Sequence, residues 1–314
     1  MSEQSAKMFQ AVFENSPVGL ILVNRDTSIR DANAYMFNMF NLDQKDIKGR
    51  RFGNLFNCSV VSGSGKTCGD CDACRECELR GGMSSVLCSG ISIPDTIIDH
   101  KFIIDGQELK KWFKVSASRI DNEGDFFAIV SFADITIQKE YEELLNYRLS
   151  LDMATGTINK YALMGTLKRL TAAGKEFTVA LIDFDNFKAI NDSYGHISGD
   201  KVISHFCAAA LANTRKQDIV GRFGGEEFMI VFQGAASGML IKALERISKS
   251  FQEACFRSIG IKPTFSAGLA EFNAAAQAET DVDSLVGEAD SNLYLSKIRG
   301  KNMITSRGLT MSFD

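Results

Sequence analysis

The sequence predicts an α+β protein with two domains, and three observations carry that prediction. The chain has 314 residues, more than one ordinary hydrophobic core accommodates. Strand-like and helix-like runs occur on both sides of a charged, helix-like segment at residues 137–151. The composition, 45% hydrophobic and 24% charged, is that of a globular protein. We therefore expect a flexible N-terminus at residues 1–8, a first domain at 9–136, a helical linker, and a second domain at 152–314.

The charge balance and the N-terminal residues exclude several classes of function. A net charge of −4 provides no positive field for nucleic acid or an anionic membrane surface. Residues 1–8 are polar, and the apolar run at 18–23 is too short for a signal peptide or a membrane span. We expect a cytoplasmic protein without nucleic-acid or membrane partners, in which a local site can still bind a small anion such as a nucleotide.

The first domain has the pattern of an antiparallel sheet with helices. Residues 9–24 predict a short helix, a Ser-Pro break and a strand, and residues 31–41 predict a second helix. Three strand-like runs follow at 96–104, 109–118 and 126–133. Between these two parts, residues 53–90 are rich in Gly, Ser and Cys, which predicts a loop-like insertion.

The linker carries apolar residues at helical spacing among Glu, Lys and Gln. Ile137, Tyr141, Leu144 and Leu145 share one face of the predicted helix. Such a face can pair with a second copy of the chain as a short parallel coiled coil. The alternative is an ordinary surface helix, because the repeat extends over only about two heptads.

The second domain alternates between strands and helices. Its order of elements is β-α-β-β-α-β with a final helix, which predicts a sheet with antiparallel pairs and helices on one face. The predicted elements are a strand at 178–184, a helix at 199–214, two strands that flank Gly224-Gly225, a helix at 237–256, a strand at 262–270 and a helix at 282–299.

Acidic residues occur where two of these strands end and begin. Asp183 ends the strand at 178–184, and Glu226 and Glu227 begin the strand after the glycine hairpin. If the strands are neighbours, these carboxylates converge and repel one another unless a cation lies among them. Hard oxygen ligands of this kind suit Mg²⁺ that is bound to phosphates. The glycines allow a ligand to approach the backbone. The alternative is a glycine hairpin with a solvated acidic tip.

From about residue 152 to 307 the chain resembles the GGDEF family, in its GGEEF form. That resemblance implies a cyclase-like palm domain that condenses two GTP molecules into cyclic di-GMP and two pyrophosphates. The motifs that carry it are, in order, Asp152-x-x-Thr155-Gly156-x-x-Asn159, Asp183-Phe184-Asp185-x-Phe187-Lys188-x-x-Asn191-Asp192, Gly195-His196-x-x-Gly199-Asp200, Arg222-x-Gly224-Gly225-Glu226-Glu227-Phe228, Ser266-x-Gly268 and Ala289-Asp290-x-x-Leu293-Tyr294-x-x-Lys297.

The resemblance implies the catalytic roles. Asp183, Glu227 and the Phe184 carbonyl would hold Mg²⁺ or Mn²⁺, and Glu226 would share that site or help to deprotonate the attacking 3′-hydroxyl. A metal ion can lower the pKa of bound water from ~15.7 to ~7, and a comparable effect on a ribose hydroxyl would generate the nucleophile. Lys297 would contact phosphate during catalysis.

The resemblance also implies the substrate contacts. Asn191 and Asp200 would read guanine, because a carboxylate accepts from guanine N1–H and N2–H₂ whereas adenine offers no such donor pair. The remaining substrate positions are Phe187, Lys188, Gly224, Gly225 and Lys301.

Three positions depart from the family pattern. Ala154 and Thr157 replace two larger apolar residues, and Lys301 replaces an arginine, which loses the forked geometry for phosphate. We expect a loosened nucleotide pocket or weaker activity, without loss of catalysis.

Two further expectations follow from the family. One domain holds one GTP, so two copies must meet about a two-fold axis, which implies a homodimer. Arg215 and Asp218 match an RxxD motif at which the product inhibits the enzyme, and Arg246 is a candidate second arginine for that site. The alternative for Arg215 and Asp218 is an ordinary i,i+3 ion pair on the surface.

Residues 9–136 resemble a PAS sensor domain. The resemblance rests on Phe13-Glu14-Asn15-Ser16-Pro17-x-Gly19, on Asn33 at the start of a helix, on the three later strands and on Asp134-Ile135-Thr136. PAS domains bind haem, flavin, small metabolites or nothing. His100 is the residue here that a haem iron could use, although a core or surface histidine is the favoured interpretation.

A cysteine-rich stretch interrupts this domain. Its cysteines are Cys58, Cys68, Cys71, Cys74, Cys77 and Cys88. In a straight helix the four central residues would extend over about 13.5 Å at ~1.5 Å per residue, too far for one ion with Zn–S bonds of ~2.3 Å. A Zn²⁺ knuckle, an iron–sulfur cluster, a redox dithiol and unliganded thiols all remain open. Cys207 and Cys255 are expected to be small buried hydrophobic residues.

These features predict a diguanylate cyclase that a PAS domain regulates through a cysteine metal or redox site. Two alternatives remain. One is a catalytically silent receptor that holds cyclic di-GMP at Arg215 and Asp218, against which the intact Glu226-Glu227 pair argues. The other is a cysteine metal or redox sensor that acts through a partner protein.

Overall fold

Each half of the chain contains its own β-sheet in the computed structural model, which describes residues 3–43, 47, 49–122, 124–234, 237–273 and 281–313. The chain divides into two compact units at residues 1–144 and 145–314. In these described ranges, we find no helix with the length and apolar character needed to cross a bilayer.

The N-terminal unit has an antiparallel sheet in the order β2-β1-β5-β4-β3. Its elements are α1 (Glu3–Glu14), β1 (Gly19–Val23), β2 (Ile29–Ala32), α2 (Ala34–Met39), α3 (Phe52–Leu55), α4 (Ser59–Ser62), a 3₁₀ turn (Asp72–Cys74), α5 (Glu78–Ser89), β3 (Ile93–Ile104), β4 (Gln107–Asn122) and β5 (Asp125–Asp134). The predicted antiparallel sheet with helices is confirmed.

Asn33 joins three of these elements. Its side-chain oxygen accepts from the N–H of Met36, which caps α2, and from the N–H of Leu20 in β1. Its amide donates to the carbonyl oxygens of Phe13 in α1 and Val18. Because Asn33 is fully buried, these bonds satisfy an amide that would otherwise be costly to remove from water.

Residues 3–8 lie in the first turns of α1, and their expected flexibility stays a prediction. The structure corrects one expectation about this unit. The insertion at 53–90 is not loop-like throughout, since α5 places Leu79, Met83 and Val86 on one buried face. The Gly, Ser and Cys content predicted a loop, but this apolar set at helical spacing determines the outcome.

A further helix, α6 (Thr136–Leu149), follows β5 and confirms the predicted helical linker. It has no buried residue, and its apolar side chains are exposed. Ile137 is 82% exposed, Tyr141 60% and Leu144 45%. An exposed stripe of this kind is unusual for a helix that functions alone.

The C-terminal unit has the sheet order β12-β11-β10-β7-β9-β8-β6. Its elements are β6 (Ile158–Asn159), α7 (Lys160–Ala172), β7 (Phe177–Phe184), α8 (Phe187–Tyr194), α9 (His196–Asn213), β8 (Ile219–Arg222), β9 (Glu227–Gln233), α10 (Ser237–Ile259), β10 (Phe265–Phe272), α11 (Val282–Ile298), β11 (Met303–Ser306) and β12 (Leu309–Ser312). The predicted core order is confirmed, and β6, α7, α8, β11 and β12 add to it.

Helices cover both faces of this sheet, which corrects the expectation of one covered face. Alternate residues of β7 enter different clusters: Ala180 and Ile182 pack with α9 and α10, whereas Val179 and Leu181 pack with α7 and α11. A strand that is buried on both faces has a continuous apolar sequence rather than an alternating one. β7 therefore runs through the centre of the unit and carries its last residues to the sheet edge.

Candidate functional site

The carboxylates of the glycine hairpin converge with Asp183, as the strand pattern predicted. β7 pairs with β9 in an antiparallel register that places Asp183 directly opposite Glu227. The N–H groups of Phe223 and Gly224 donate to the Glu227 carbonyl oxygen at 2.8 and 3.1 Å and close the hairpin. Glu226 lies at its tip, immediately before β9.

Burial and nearby negative charge raise the pKa values of both glutamates. Burial, followed by repulsion from Asp183, raises the pKa of Glu226 above its usual range. The same two causes raise the pKa of Glu227, to which Asp290 also contributes. A group of carboxylates in this condition favours a cation, and its hard oxygen donors fit Mg²⁺ or Mn²⁺.

The ammonium group of Lys297 lies among these oxygens. It forms an ion pair with the Asp183 carboxylate and contacts Asp185 Oδ1 at 3.0 Å. It also donates to the carbonyl oxygens of Asp183 and Phe184 at 3.0 and 2.9 Å. Lys297, expected at a phosphate, thus supplies positive charge at the oxygens that the family assigns to the metal ion. Within the described ranges, no set of three or more His, Cys, Asp or Glu is arranged to hold a metal ion.

Asp185 is a site residue to which the sequence assigned no role. Its buried carboxylate accepts hydrogen bonds from Thr264 Oγ1 at 2.7 Å, Ser266 Oγ at 2.8 Å and the Asn302 N–H at 2.9 Å, in addition to Lys297. Burial acts to raise its pKa, but the bonds from Thr264 and Lys297 outweigh burial and lower it. Asp185 therefore remains charged and orients Lys297. In the sequence, the feature that could have identified Asp185 as a site residue is its position two residues after Asp183.

Arg222 holds the hairpin in shape. Its guanidinium donates to the carbonyl oxygens of Gly224 and Gly225, the shortest contact being 2.7 Å. It also pairs with Asp152 Oδ1 at 3.1 Å. The sequence quoted Arg222 and Asp152 within motifs but did not link them, because they lie 70 residues apart in the chain.

The two glycines of the hairpin meet different surroundings. A Cβ on Gly224 would lie 2.3 Å from Glu227 Oε2, so this position must be small for the carboxylate to stay in place. A Cβ on Gly225 would have no atom within 4 Å. The space beside Gly225 is therefore open to a ligand, in agreement with the predicted substrate contact.

The two candidate guanine readers lie on consecutive helices. Asn191 is near the end of α8, and Asp200 is in the first turns of α9, after a turn at Gly195 with φ of +78°. A Cβ on Gly199 would lie 1.9 Å from Asn191 Oδ1, so the glycine before Asp200 allows the Asn191 amide to pack there. Asn191 is half-buried and Asp200 is exposed, so both helices present polar groups at this turn.

The start of α8 gathers the candidate phosphate contacts. Lys188 is exposed, and Lys301 Nζ lies 2.5 Å from Asn186 Oδ1, immediately before the helix. The Phe187 ring is buried, 5.5 Å from that of Phe184, so its side chain belongs to the core, and a substrate contact by Phe187 stays a prediction. The backbone N–H is the part of Phe187 that a phosphate can use, since helix N-termini present unpaired N–H groups to anions.

Thr157, one of the departures from the family pattern, is accommodated without strain. It is buried, and its hydroxyl lies 2.8 Å from Thr155 Oγ1, so the polar atom has a partner. Ala154 is exposed.

Arg215, Asp218 and Arg246 line one pocket of ≈ 160 Å³, together with Lys242. Asp218 does not present a free carboxylate there. Its side chain is only 2% exposed, and it accepts from the N–H groups of Arg215 and Gln233 at 2.9 and 3.2 Å. Asp218 therefore stabilises this turn, and its expected role as a ligand acceptor stays a prediction. The cations remain available to an anion.

In the N-terminal unit, four of the clustered cysteines line one cavity of ≈ 40 Å³, namely Cys58, Cys68, Cys74 and Cys77. His100 lines it too, with Nε2 at 2.9 Å from Cys58 Sγ, so it is neither a plain core nor a plain surface histidine. Burial raises the pKa of Cys58 and of Cys68, and burial lowers the pKa of His100.

The other cysteines lie outside this cavity. Cys71 is buried with its Sγ 3.4 Å from Ser64 Oγ, and Cys88 is exposed on α5. Cys207 and Cys255 are buried, and burial raises the pKa of each to about 12. The expectation that these two are buried hydrophobic residues is confirmed. All eight cysteines, each within the described ranges, are free thiols.

Comparison with known proteins agrees with this geometry. The family described as "Diguanylate cyclase, GGDEF domain" matches residues 149–303, and a PAS domain family matches residues 7–67. The diguanylate cyclase DosC of Escherichia coli is 33% identical over 178 residues, which are 54% of this chain and 38% of that protein. Diguanylate cyclase A of Treponema denticola is 34% identical over 148 residues, which are 46% of this chain and 39% of that protein.

Solved structures give similar matches. The coiled coil and GGDEF domain of DgcB from Caulobacter crescentus, in complex with c-di-GMP, is 27% identical with a TM-score of 0.48, over 55% of this chain and 92% of that one. The active GGEEF domain of a diguanylate cyclase from Vibrio cholerae is 26% identical with a TM-score of 0.42, over 46% and 92%.

The chain spans about two fifths of the length of the curated relatives it matches, 38% and 39% in these two cases. Each matched range lies within one of the two units that the fold separates. The chain therefore carries a PAS-family region at residues 7–67 and a diguanylate cyclase GGDEF-family region at residues 149–303.

Proposed function

We propose that this protein is a diguanylate cyclase, which condenses two GTP molecules into cyclic di-GMP with release of two pyrophosphates. The observation that carries the proposal is the pairing of Asp183 with Glu227 beside Glu226 at the glycine hairpin. Burial, followed by repulsion from Asp183, raises the pKa values of both glutamates, so the site favours a cation. A divalent cation there supports triphosphate binding.

The metal-binding residues in this proposal are Asp183, Glu227 and the carbonyl oxygen of Phe184. Bound there, Mg²⁺ or Mn²⁺ supplies positive charge that screens the triphosphate and stabilises the leaving pyrophosphate. Asp185 Oδ1 lies 3.0 Å from Lys297 Nζ and orients it. With a cation at the Asp183 carboxylate, the Lys297 ammonium is free to turn toward phosphate. Backbone N–H groups at the start of α8, with Lys188 and Lys301, hold the outer phosphates.

Glu226 is the residue we propose to accept the proton of the attacking 3′-hydroxyl. Its raised pKa brings it closer to the range in which a carboxylate acts as a base near neutral pH. The 3′-oxygen of one GTP bonds to the α-phosphorus of the other, the α–β bridging bond breaks, and pyrophosphate leaves. The same step in the opposite direction closes the ring.

Asn191 and Asp200 select guanine in this proposal. Asp200 is exposed at the start of α9, where its carboxylate can accept from guanine N1–H and N2–H₂. ATP leaves that carboxylate without its donors, which disfavours adenine.

A homodimer is required, because each domain holds one GTP and the product has two new bonds. We propose that α6 pairs with its copy. The exposure of Ile137, Tyr141 and Leu144 on this helix supports the pairing, since a second copy would bury them.

Regulation is assigned to two further sites. We propose that the PAS domain senses its signal through the cysteine cavity, as a metal or redox input. Product inhibition would use the pocket of Arg215, Lys242 and Arg246, whose positive charges suit the phosphates of cyclic di-GMP. Free thiols and a GTP substrate agree with the cytoplasm as the place of action.

Incubation of the purified full chain with GTP and Mg²⁺ tests the central proposal. We expect cyclic di-GMP in a chromatographic assay, and none from Glu227→Gln. Glu253→Gln is the matched control, because Glu253 is an exposed carboxylate on α10 that pairs with Arg257 on the surface. If the wild type forms no product under either reducing or oxidising conditions, the cyclase proposal is wrong.

The alternative is a catalytically silent receptor for cyclic di-GMP. The pocket that Arg215 and Arg246 share favours it, because that pocket can bind an anionic ligand without catalysis. Calorimetric binding of cyclic di-GMP by a chain that makes none from GTP would select the receptor.

A further inference from the structure

Four cysteines and two arginines line one cavity of the N-terminal unit. The site proposed for them below does not require cyclase activity, and only its role in regulation rests on the proposed function. We propose that Cys58, Cys68, Cys74 and Cys77 together bind one thiolate-ligated metal centre, whose negative charge Arg51 and Arg80 balance. The four side chains line one cavity but are not arranged around a common point in the structure, so binding requires them to turn toward one centre. The sequence alone offered six candidate cysteines. These four line the cavity, whereas Cys71 packs beside Cys58 and Cys74 without lining it and Cys88 lies outside it.

The four cysteines reach the cavity from separate short elements. Cys58 precedes α4, Cys74 ends the 3₁₀ turn, and Cys77 precedes α5. Cys68 lies in the loop, where its N–H donates to Asn54 Oδ1 at 2.8 Å. These bends remove the objection that a straight helix would spread the sulfurs too far apart for one centre.

Gly53 allows two of the cysteines to pack closely against the same backbone position. A Cβ on Gly53 would lie 3.0 Å from Cys68 Sγ and 3.2 Å from Cys58 Cβ. Any larger residue would therefore have to displace these two cysteines. A glycine in this position leaves room for two of the proposed ligands side by side.

Two arginines beside the cavity provide an independent sign of an anionic occupant. A Cβ on Gly69, the residue after Cys68, would lie 2.9 Å from both Arg51 Nη1 and Arg80 Nε. The two guanidinium groups therefore pack against the same glycine. Like charges held this close repel unless an anion lies near them.

Within the described residues, the Asp70 carboxylate pairs with Arg51 and leaves Arg80 Nε without an acceptor. Arg51 contacts the Asp70 carboxylate at 3.7 Å and donates to the Cys68 carbonyl oxygen at 2.8 Å. Arg80 Nε is buried and has no hydrogen-bond partner among the described residues. A buried guanidinium N–H without an acceptor is costly, and both arginines line the cysteine cavity.

A four-thiolate centre provides that missing negative charge. Each thiol loses its proton to solvent as its sulfur binds, so four thiolates around a divalent ion carry a net charge of about −2. One Zn²⁺ ion or an iron–sulfur cluster has this ligand chemistry. Cys77 also lies at the N-terminus of α5, where the helix dipole favours negative charge.

His100 completes the surroundings of the centre. Its Nε2 lies 2.9 Å from Cys58 Sγ, at the distance of a hydrogen bond to a sulfur ligand. Such contacts orient a ligand and tune its affinity for metal. Cys71 is directed instead to Ser64 Oγ, and Cys88 does not line the cavity.

Metal uptake by the full chain, measured without GTP, tests the proposal. The protein is reduced, freed of metal by a chelator, and kept anaerobic. One arm titrates Zn²⁺ against a chromophoric chelator, and a second adds Fe³⁺, Fe²⁺ and sulfide and records the visible spectrum. We expect one centre per chain in one of the two arms, and the arm that succeeds identifies the metal.

Variants assign the ligands. We expect Cys58→Ser, Cys68→Ser, Cys74→Ser and Cys77→Ser each to lower metal affinity by at least tenfold, and Cys71→Ser and Cys88→Ser to leave it unchanged. Circular dichroism of each variant identifies any that fails to fold. Arg80→Gln is expected to weaken binding by about tenfold, as loss of an outer contact does. Arg75→Gln, at an exposed arginine outside the cavity, is its matched control.

Three results would overturn the proposal. They are no uptake in either arm, equal losses in Cys71→Ser and Cys74→Ser, and equal affinities of Arg80→Gln and Arg75→Gln. None of these results depends on cyclase activity. A chain that binds metal but makes no cyclic di-GMP would contradict the proposed function and leave this inference standing.

Discussion

Asp183 and Glu227 lie directly opposite each other on the antiparallel strands β7 and β9. This pair lies at the end of the sheet where the glycine hairpin joins β8 to β9. Like charges in directly opposed positions destabilise a sheet. The pair persists here with Lys297 against Asp183 and with the pKa of Glu227 raised by burial and by Asp183. An arrangement that costs stability in the metal-free protein indicates a site built for a cation.

The first prediction concerns pH and Mg²⁺. Because the folded-state pKa values of Glu226 and Glu227 lie above their unfolded values, the metal-free unit loses stability as pH rises from about 4.3 through those values. Mg²⁺ binds the deprotonated carboxylates, so the rise in Tm that it causes should be larger at neutral than at acidic pH. Scanning calorimetry with Mg²⁺ or with a chelator measures this rise.

A variant checks the cause of that pH dependence. Glu227→Gln should raise Tm in the presence of chelator, because it removes repulsion with Asp183, and should reduce the stabilisation by Mg²⁺. An equal Mg²⁺ effect at both pH values, in wild type and variant alike, would contradict the explanation.

The second prediction concerns Asp185. Asp185→Asn should destabilise the C-terminal unit by about 3 kcal/mol or more, because it removes a buried charge that accepts from Thr264, Ser266 and Lys297. Urea unfolding measures the change. Asp192→Asn, at an exposed position of α8, should change stability by no more than about 0.5 kcal/mol. Similar losses in both variants would show that the network contributes little.

The third prediction separates the hairpin glycines. Gly224→Ala should reduce Mg²⁺ affinity and turnover with little loss of stability. Its added Cβ would lie 2.3 Å from Glu227 Oε2, so the flexible Glu227 carboxylate must move away. Gly225→Ala has open space in the protein, so it should raise KM for GTP through contact with the substrate. Steady-state kinetics at several Mg²⁺ concentrations distinguish the two effects. An unchanged KM in Gly225→Ala would exclude a close approach of substrate to that backbone.

The fourth prediction concerns α6. Replacing Tyr141 and Leu144 by lysine together should shift the chain toward monomer and lower cyclase activity in parallel, because it charges the exposed apolar stripe. Sedimentation velocity measures the oligomeric state. Glu143→Gln, at an exposed polar position of the same helix, serves as the control. A doubly substituted chain that remains dimeric would assign dimerisation to another surface.

The fifth prediction concerns product inhibition. Arg215→Ala should raise the concentration of cyclic di-GMP that halves activity by about tenfold, the loss expected for one charge-assisted hydrogen bond. Lys216→Ala should not, because Lys216 is exposed and does not line the pocket. Initial rates at fixed GTP with added product measure both. Equal inhibition of the three proteins would remove the pocket from regulation.

At two of the predicted site positions, the motifs of the sequence did not indicate how deeply the side chain is buried. The sequence identified Phe187 and Asp218 by their positions in motifs, but burial determines which atoms of a residue can meet a ligand. The Phe187 ring is in the core, and the Asp218 side chain is 2% exposed. Burial depends on residues distant in the chain, such as Gln233 for Asp218, and local pattern carries little information about it.

The sequence by itself determined the order of the strands and helices around the hairpin, the convergence of Asp183 with Glu226 and Glu227, and the resemblance of residues 152–307 to the GGDEF family. Those features depend on local periodicity and on residues a few positions apart. Tertiary structure alone decided that Asp185 holds Lys297 across 112 positions of the chain, that helices cover both faces of the sheet, and that four of six cysteines share a cavity with two arginines. Such relations arise from packing between distant segments. A folded chain brings together side chains that lie far apart in the sequence, and their spacing in the sequence does not predict that they will be in contact.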